Sequence, residues 1–390
     1  MGLERFKIIL EQPVYYGGQT LAGKLFITTD APLQMRAVVL NYFGECDVRW
    51  SRGTKNGRRY YTNNEKYLNL QQLIYGDYDE DCELPEGEHI YLFSCPLPMS
   101  LPSSFEGRHG RIRYSVKATI KRSWKFDDTT TEPFYVVEIL DLNKAPLAAS
   151  PVQEVNSKTF WCHSSPLSMS VEIPVRGFVS GQIIPVKVSV DNESDVQVGG
   201  VRATLRQITT FHARSTSRDD EKVIFRNEFP LQNGRGREEI FLNLNLPALP
   251  HSNLQSCKII DLKYVLSITA KVNAWYHRNL TMPINLIIGN VPLLSYQIPV
   301  QPIRFTRTQI EELPVSENCR SSDSLLPDYQ FVAAPFSESY GEHCPVPTYE
   351  QCVPEKRKPN KKQGNDSNND GVEKPFIPLY PVYRFHDGQT

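Results

Sequence analysis

The sequence predicts an all-β protein made of two similar β-sandwiches in tandem, followed by a disordered tail. Apolar and polar residues alternate in many short windows, as in half-buried strands, whereas a 3.6-residue helical period never persists. A turn-and-strand pattern also occurs twice: Gly18-Gln19-Thr20-Leu21 leads into one alternating run and Gly181-Gln182-Ile183-Ile184 into another. This repeat indicates two copies of one folding unit.

The best-defined strand of each half follows a Leu-Pro pair. Leu101-Pro102 precedes a strand over residues 111–121, and Leu249-Pro250 precedes one over residues 262–272. Apolar residues two positions apart share a face of the sheet, so each strand has one buried and one polar side. The apolar positions are Ile112, Tyr114, Val116, Ala118 and Ile120 in the first strand, and Leu262, Tyr264, Leu266, Ile268, Ala270 and Val272 in the second.

Composition divides the chain into three parts. Ala-, Pro- and Ser-rich sequence interrupts the alternation near residues 142–158, which predicts lobes over residues 1–150 and 151–291. Residues 292–390 hold 13 of the 29 Pro and a stretch rich in Lys, Asn, Asp and Gly, so we expect a disordered tail there. A short amphipathic turn of helix is predicted only at residues 68–74.

Charge and hydropathy exclude several classes of protein. The formal net charge is −1, which gives no general attraction to nucleic acid, and no apolar run reaches the roughly 20 residues that span a bilayer. The first residues lack the apolar core of a signal peptide, so a cytosolic location is expected.

No catalytic or metal-binding pattern stands out, and we expect neither an enzyme nor a cofactor. The eight Cys are scattered, with no C-x-x-C pair, which fits reduced thiols better than a zinc site or a disulfide framework. Hydrolase, zinc-protease and phosphate-loop motifs are absent. A β-sandwich hydrolase or ligand-binding enzyme, whose Ser, His and Asp or Cys meet only in space, remains the alternative from another class.

Several dispersed segments resemble the arrestin domain-containing proteins, or α-arrestins. Residues 101–107 with 110–114 resemble the most recognisable segment of that family. Residues 140–143 and 158–162 resemble the stretch that joins its two lobes, and residues 177–182 resemble the opening of its second lobe. The resemblance covers roughly residues 5–290 and implies two arrestin-type, immunoglobulin-like sandwiches packed side by side.

The resemblance also implies a non-enzymatic adaptor. Members of the family bring WW-domain, HECT-type ubiquitin ligases to membrane cargo such as transporters and receptors, for ubiquitination, endocytosis, endosomal trafficking and regulation of signalling. We therefore expect a cytoplasmic protein that contacts the plasma membrane and endosomes peripherally and binds the cytoplasmic tails of its cargo. A ligase-independent sorting scaffold, of the retromer or coat type, is the alternative within the same fold.

Two segments of the tail approximate the PPxY ligands of WW domains. They are Val346-Pro347-Thr348-Tyr349 and Ile377-Pro378-Leu379-Tyr380, each with an aliphatic residue in place of the first Pro. WW grooves favour a preformed polyproline II ligand, so this replacement weakens each motif, although two motifs on one tail act together. The predicted WW-binding residues are Pro347, Tyr349, Pro378 and Tyr380. Chance occurrence of P-x-Y in a Pro- and Tyr-rich tail is the alternative.

A basic stripe on the first predicted lobe is the candidate contact for cargo, for anions or for the membrane surface. Arg and Lys side chains that share the outer face of one strand can meet acidic or phosphorylated cargo tails. The plain alternative is that the charges keep an exposed strand soluble and unpaired. The stripe consists of Arg111, Arg113, Lys117 and Lys121.

Overall fold

A computed structural model of the chain describes residues 2–54, 57–160, 165–214, 216–273, 279–296, 347–352 and 376–384. All regular secondary structure in these ranges is β-strand, arranged as two sandwich lobes. The predicted fold class is therefore confirmed.

The first lobe packs a three-stranded sheet, in the order β1-β3-β8, against a sheet in the order β2-β11-β10-β5-β6, with β9 beside β10 and a small β4-β7 pair. Its long strands β5 and β6 form a ribbon that extends beyond the sandwich. The strands are β1 (Arg5–Leu10), β2 (Val14–Tyr16), β3 (Thr20–Thr29), β4 (Leu33–Met35), β5 (Ala37–Thr54), β6 (Gly57–Gly76), β7 (Cys82–Leu84), β8 (Gly87–Pro96), β9 (Phe105–Glu106), β10 (Gly110–Lys121) and β11 (Asp128–Val137).

The second lobe repeats this architecture, with sheets in the orders β12-β13-β15-β18 and β14-β20-β19-β16-β17. The short strands β2 and β14 occupy equivalent places, since each pairs in parallel with the last long strand of its lobe. The strands are β12 (Val152–Lys158), β13 (Leu167–Ile173), β14 (Gly177–Val179), β15 (Ile183–Asn192), β16 (Val198–Ala213), β17 (Thr216–Pro230), β18 (Gly236–Asn245), β19 (Ile260–Val272) and β20 (Leu280–Gly289).

The alternation of apolar and polar residues determines the register of the two central strands, β10 and β19. The five predicted apolar residues of β10 are all buried, and β10 pairs with β5 on one side and β11 on the other. In β19 the positions predicted from Leu262 to Ala270 are buried, whereas Val272, at the strand end, is only partly buried. A shift of one residue would bring the charges into the core, so the pattern fixes the register.

The predicted helical turn at residues 68–74 is wrong. These residues lie within β6 and pair with β5, for example Gln71 opposite Asn41. The strand is at the sheet edge, and Leu70 and Leu73 are each nearly half exposed, so the apolar residues do not mark a single buried face. In such an edge strand the spacing of apolar residues can match a helical period although no helix forms.

Two pieces of the predicted disordered tail are folded. Strands β21 (Thr348–Gln351) and β22 (Leu379–Val382) pair antiparallel and form a separate two-stranded sheet, called here the tail sheet. The expectation of disorder throughout residues 292–390 therefore does not hold for residues 347–352 and 376–384. The reason is packing, because Tyr380, Val382 and Tyr383 are buried against the two lobes.

Candidate functional site

The two lobes meet through equivalent segments that follow the Leu-Pro pairs. In each lobe a serine hydroxyl accepts a hydrogen bond from the last long strand. The Val136 amide donates to Ser104 and the Ile288 amide donates to Ser252, both at 2.9 Å. A buried tyrosine bonds each segment as well, since the hydroxyls of Tyr114 and Tyr264 donate to the carbonyls of Pro102 and Pro250, each at 2.7 Å. The two repeated Leu-Pro segments therefore make the same set of hydrogen bonds, one set in each lobe.

Hydrogen bonds between the lobes connect these segments. The Asn290 side chain donates to the Glu138 carbonyl at 2.6 Å and accepts from the Leu140 amide at 2.6 Å. Ser256 donates to Glu138 Oε1 through both its amide and its hydroxyl, at 3.0 and 2.5 Å. Because these groups are mostly withdrawn from water, each bond is costly to leave unmade.

A buried histidine lies at the centre of the junction. His251 Nδ1 is 2.9 Å from the Ser252 carbonyl, which can only accept, so Nδ1 carries the proton and Nε2 accepts from the Ser103 hydroxyl at 2.9 Å. Burial lowers the pKa of His251 to about 4 and raises the pKa of Glu138, whose Oε2 lies 3.8 Å from Nε2. His251 is therefore neutral near pH 7.

This Ser-His-Glu cluster does not have the geometry of a hydrolase triad. In a triad the acid orients the ring nitrogen opposite the one that faces the nucleophile. Here Ser103 and Glu138 both face Nε2, and a backbone carbonyl occupies Nδ1. Ser103 and His251 are also only 1% and 3% exposed, so no substrate reaches them in this arrangement. The cluster connects the lobes.

The tail sheet lies across this junction, in a depression called here the interlobe groove. On the first lobe the Tyr380 hydroxyl donates to the Ser104 carbonyl at 3.1 Å, and the hydroxyls of Tyr349 and Tyr16 are 2.5 Å apart. On the second lobe Tyr383 donates through its amide to the Ser180 carbonyl and through its hydroxyl to the Asn290 carbonyl. The groove-lining residues are Tyr16, Ser104 and Tyr135 from the first lobe, and Ser180, Gly181 and Asn290 from the second.

All four residues predicted to bind WW domains lie in the described part of the tail. Pro347 and Pro378 are buried, Tyr380 is 4% exposed, and Tyr349 is partly buried. Burial raises the pKa of Tyr349 to about 12 and also raises the pKa of Tyr380. In the tail sheet Glu350 is directly opposite Tyr380, so the two predicted motifs lie side by side.

Sequence reasoning missed two further anchors of the tail, Phe376 and Tyr383. The Phe376 ring packs on Tyr135 with centroids 5.0 Å apart, and the Arg113 guanidinium lies 5.3 Å from its centroid. Tyr383 is 1% exposed. The only available signal was the apolar character of residues 376–383 within a polar tail, which does not identify the surface that they contact.

The basic stripe divides into two parts. Arg111 and Arg113 line a surface pocket of about 630 Å³ near the junction, together with Arg49, Arg108 and Arg214, against the carboxylates of Asp47 and Glu106. Lys117 and Lys121 lie outside this lining. Lys121 is ten residues along β10 from Arg111, about 33 Å at the usual rise of a strand. The four predicted residues therefore do not form one site.

Ion pairs moderate the charge of the pocket. Arg113 donates to Glu106 at 2.5 Å, Arg111 lies 3.7 Å from Asp47, and Arg108 lies 3.6 Å from Asp220. The last two arginines are at least half exposed, so their pairs contribute little to stability and leave the guanidinium groups accessible. The pocket can therefore receive an additional anionic group.

The described ranges contain no helix long and apolar enough to cross a membrane. Within the same residues, no three His, Cys, Asp or Glu side chains are grouped as metal ligands would be. Cys46 and Cys257, one from each lobe, are buried free thiols with sulfurs 3.9 Å apart.

The two lobes are arrestin domains. Residues 6–143 match the family model of the arrestin (or S-antigen) N-terminal domain, and residues 163–293 match that of the C-terminal domain. The chain belongs to the arrestin domain-containing proteins, the α-arrestins, as its segments predicted.

Individual relatives support this assignment. The chain is 30% identical over 314 residues to arrestin domain-containing protein 17 of Caenorhabditis elegans, an alignment that covers 75% of this chain and 72% of the relative. It is 28% identical over 306 residues to mouse arrestin domain-containing protein 1, covering 77% and 67% of the two chains. Mouse arrestin domain-containing protein 4 is 27% identical over 296 residues, covering 72% and 70%. These relatives support an arrestin-like adaptor role.

Proposed function

We propose that this protein is an adaptor that connects membrane cargo to a WW-domain, HECT-type ubiquitin ligase. Its lobes bind the cytoplasmic tails of transporters or receptors, and its own tail recruits the ligase, which directs the cargo to endocytosis and endosomal trafficking. The observation that carries this proposal is the presence of two P-x-Y segments on one tail of an arrestin body. The protein acts by proximity, because it raises the effective concentration of ligase beside cargo lysines.

The proposed ligase contact depends on two weak motifs. Val346 and Ile377 replace the first Pro of each, which removes part of the preorganisation that favours WW binding. Since the motifs share one chain, a ligase with tandem WW domains gains affinity from the second contact without new interactions.

Calorimetric titration of a peptide of residues 340–390 with tandem WW domains tests the ligase contact. We expect micromolar affinity, around −8 kcal/mol, that the Tyr349→Ala/Tyr380→Ala variant loses because each ring fills a WW pocket. The matched control is Thr348→Ala/Leu379→Ala, which changes the variable position of each motif and keeps the affinity. Equal binding by the tyrosine variant would contradict this contact.

The pocket around Arg111 is proposed as the cargo contact. Five arginines outnumber two carboxylates in its lining, which favours an acidic or phosphorylated segment. We expect Arg108→Glu/Arg111→Glu to weaken binding of a phosphoserine peptide to the whole protein at least tenfold, about 1.4 kcal/mol. Fluorescence anisotropy at two salt concentrations measures this change.

Lys117→Glu/Lys121→Glu is the control for the cargo contact. It reverses two charges of β10 outside the pocket, the same number as in the test variant, whose Arg108 lies just before β10 and whose Arg111 lies on it. We expect it to leave the peptide affinity within about twofold, or 0.4 kcal/mol. If both variants weaken binding equally, the change reflects the general charge of the first lobe and not a contact in the pocket. The unphosphorylated peptide measures how much of the affinity depends on phosphate.

A second candidate is a sorting scaffold that binds cargo without a ligase. The burial of Tyr349 and Tyr380 in the interlobe groove favours it, since these residues then have a structural role. The peptide titration separates the two candidates: absence of binding to any tandem WW domain supports the scaffold.

A further inference from the structure

We propose that the interlobe groove is an intramolecular binding site for the two P-x-Y segments, and that a WW domain binds them only after they leave the groove. The competition with WW domains rests on the proposed function; the docking itself does not. The occupant is residues 347–352 and 376–384 of the same chain, placed there by contacts to both lobes.

The docked geometry excludes a WW domain from both motifs. Recognition requires the tyrosine ring to enter a pocket on the WW domain. The Tyr380 ring is buried, and its hydroxyl donates to the Ser104 carbonyl. The Tyr349 hydroxyl is 2.5 Å from that of Tyr16, which is itself fully buried. Neither ring can occupy two pockets at once, so the groove and the WW domain compete.

Anchors outside the motifs hold the tail in place. Phe376 precedes the second motif and packs between Tyr135 and Arg113, whereas Tyr383 follows it and bonds Ser180 and Asn290. Removing these anchors leaves both P-x-Y sequences unchanged. The docking can therefore be weakened without altering the WW ligands.

The second lobe has space for the tail backbone because of a glycine. A Cβ at Gly181 would lie 2.0 Å from the Tyr383 carbonyl oxygen, so only a residue without a side chain permits this approach. At the equivalent turn of the first lobe, the nearest atom to a Cβ at Gly18 belongs to the Met99 side chain. The two turns therefore contact the tail differently: that of the first lobe through the Tyr16 hydroxyl, and that of the second through backbone packed beside Gly181.

Docking has a quantitative consequence for affinity. A ligand that binds only the undocked state has an apparent affinity reduced by the fraction of undocked tail. A tail that is docked in about nine molecules of ten lowers the apparent WW affinity about tenfold. We therefore expect the whole protein to bind tandem WW domains at least tenfold more weakly than the free peptide of residues 340–390.

The test compares the whole protein with its Phe376→Ala/Tyr383→Ala variant by two independent measurements. Hydrogen exchange reports docking directly: we expect the amides of residues 348–351 and of Tyr380, Val382 and Tyr383 to be protected in the parent protein and to exchange like a free peptide in the variant. Calorimetry with tandem WW domains reports competition, and we expect the variant to reach the affinity of the free peptide.

Two controls make the outcomes distinct. Gln351→Ala changes an exposed side chain of β21 and should preserve both protection and affinity. The free peptide with Phe376→Ala/Tyr383→Ala should bind WW domains as tightly as the parent peptide. Equal binding would show that Phe376 and Tyr383 are not themselves WW contacts.

Each result has one meaning. Rapid exchange of both segments in the parent protein overturns the docking. Protection that survives the double substitution overturns the assignment of Phe376 and Tyr383 as the anchors, because the contacts of Tyr349 and Tyr380 then hold the tail alone. Protected segments with equal WW affinity for protein and peptide overturn the competition and leave the ligase proposal intact. A peptide that binds no WW domain removes the ligase proposal and with it the competition, whereas exchange still decides whether the groove holds the tail.

Discussion

Lowering the pH from 7.5 to 5 is expected to reduce the free energy of unfolding by about 2 kcal/mol through His251. Burial lowers the pKa of His251 from 6.5 to about 4 in the folded protein. Between these values the unfolded chain binds a proton that the folded chain does not, so stability falls as the pH falls. The stabilisation by neutral His251 is complete above pH 6.5 and is lost as the pH falls toward 4.

Urea denaturation of the parent protein and of His251→Gln at both pH values measures this contribution. Glutamine keeps a donor and an acceptor for Ser252 and Ser103 but does not titrate, so the variant should lose about 2 kcal/mol less than the parent on acidification. An equal loss in both proteins would show that His251 does not titrate in this way.

Glu138 acts in the opposite direction and needs its own control. Burial raises its pKa, so the folded protein takes up a proton before the unfolded chain does, and this uptake increases stability as the pH falls. Repeating the comparison in a Glu138→Gln background removes the opposing contribution. The effect of His251 should then be at least as large as in the parent.

The sequence predicted the lobes because their register depends on local alternation. In β10 and β19 nearly every second residue is buried, and a one-residue shift would bury charges, so residue order alone is sufficient. The edge strand β6 lacked this constraint. Its Leu70 and Leu73 are exposed, and their spacing resembled a helical period.

The site was less accessible to sequence reasoning because its partners are distant in the chain. The four WW-ligand positions could be proposed from P-x-Y alone, but their docking depends on Tyr16, Ser104 and Asn290, which no local pattern connects to the tail. The cluster of Ser103, His251 and Glu138 could not be predicted for the same reason, since no local pattern connects these three residues. Such contacts appear only when the two lobes are packed together.

The two repeat glycines provide a matched pair of substitutions that isolates the docking of the tail. Gly18 and Gly181 both have positive φ values, +82° and +92°, so alanine at either position costs about 1–2 kcal/mol of backbone strain. Their surroundings differ. The Met99 side chain near Gly18 is 82% exposed and can move aside, whereas the Tyr383 backbone at Gly181 can move only if the tail leaves the groove.

We therefore expect Gly18→Ala and Gly181→Ala to lower stability to a similar degree but to differ in the tail. Only Gly181→Ala should abolish the hydrogen-exchange protection of Tyr380, Val382 and Tyr383, and whole-protein titration should show its affinity for tandem WW domains rising toward that of the free peptide. Loss of protection in both variants would mean that the tail responds to general destabilisation of the lobes. Protection retained in Gly181→Ala would mean that the tail does not rest on this turn, because a Cβ and the Tyr383 carbonyl cannot occupy the same space.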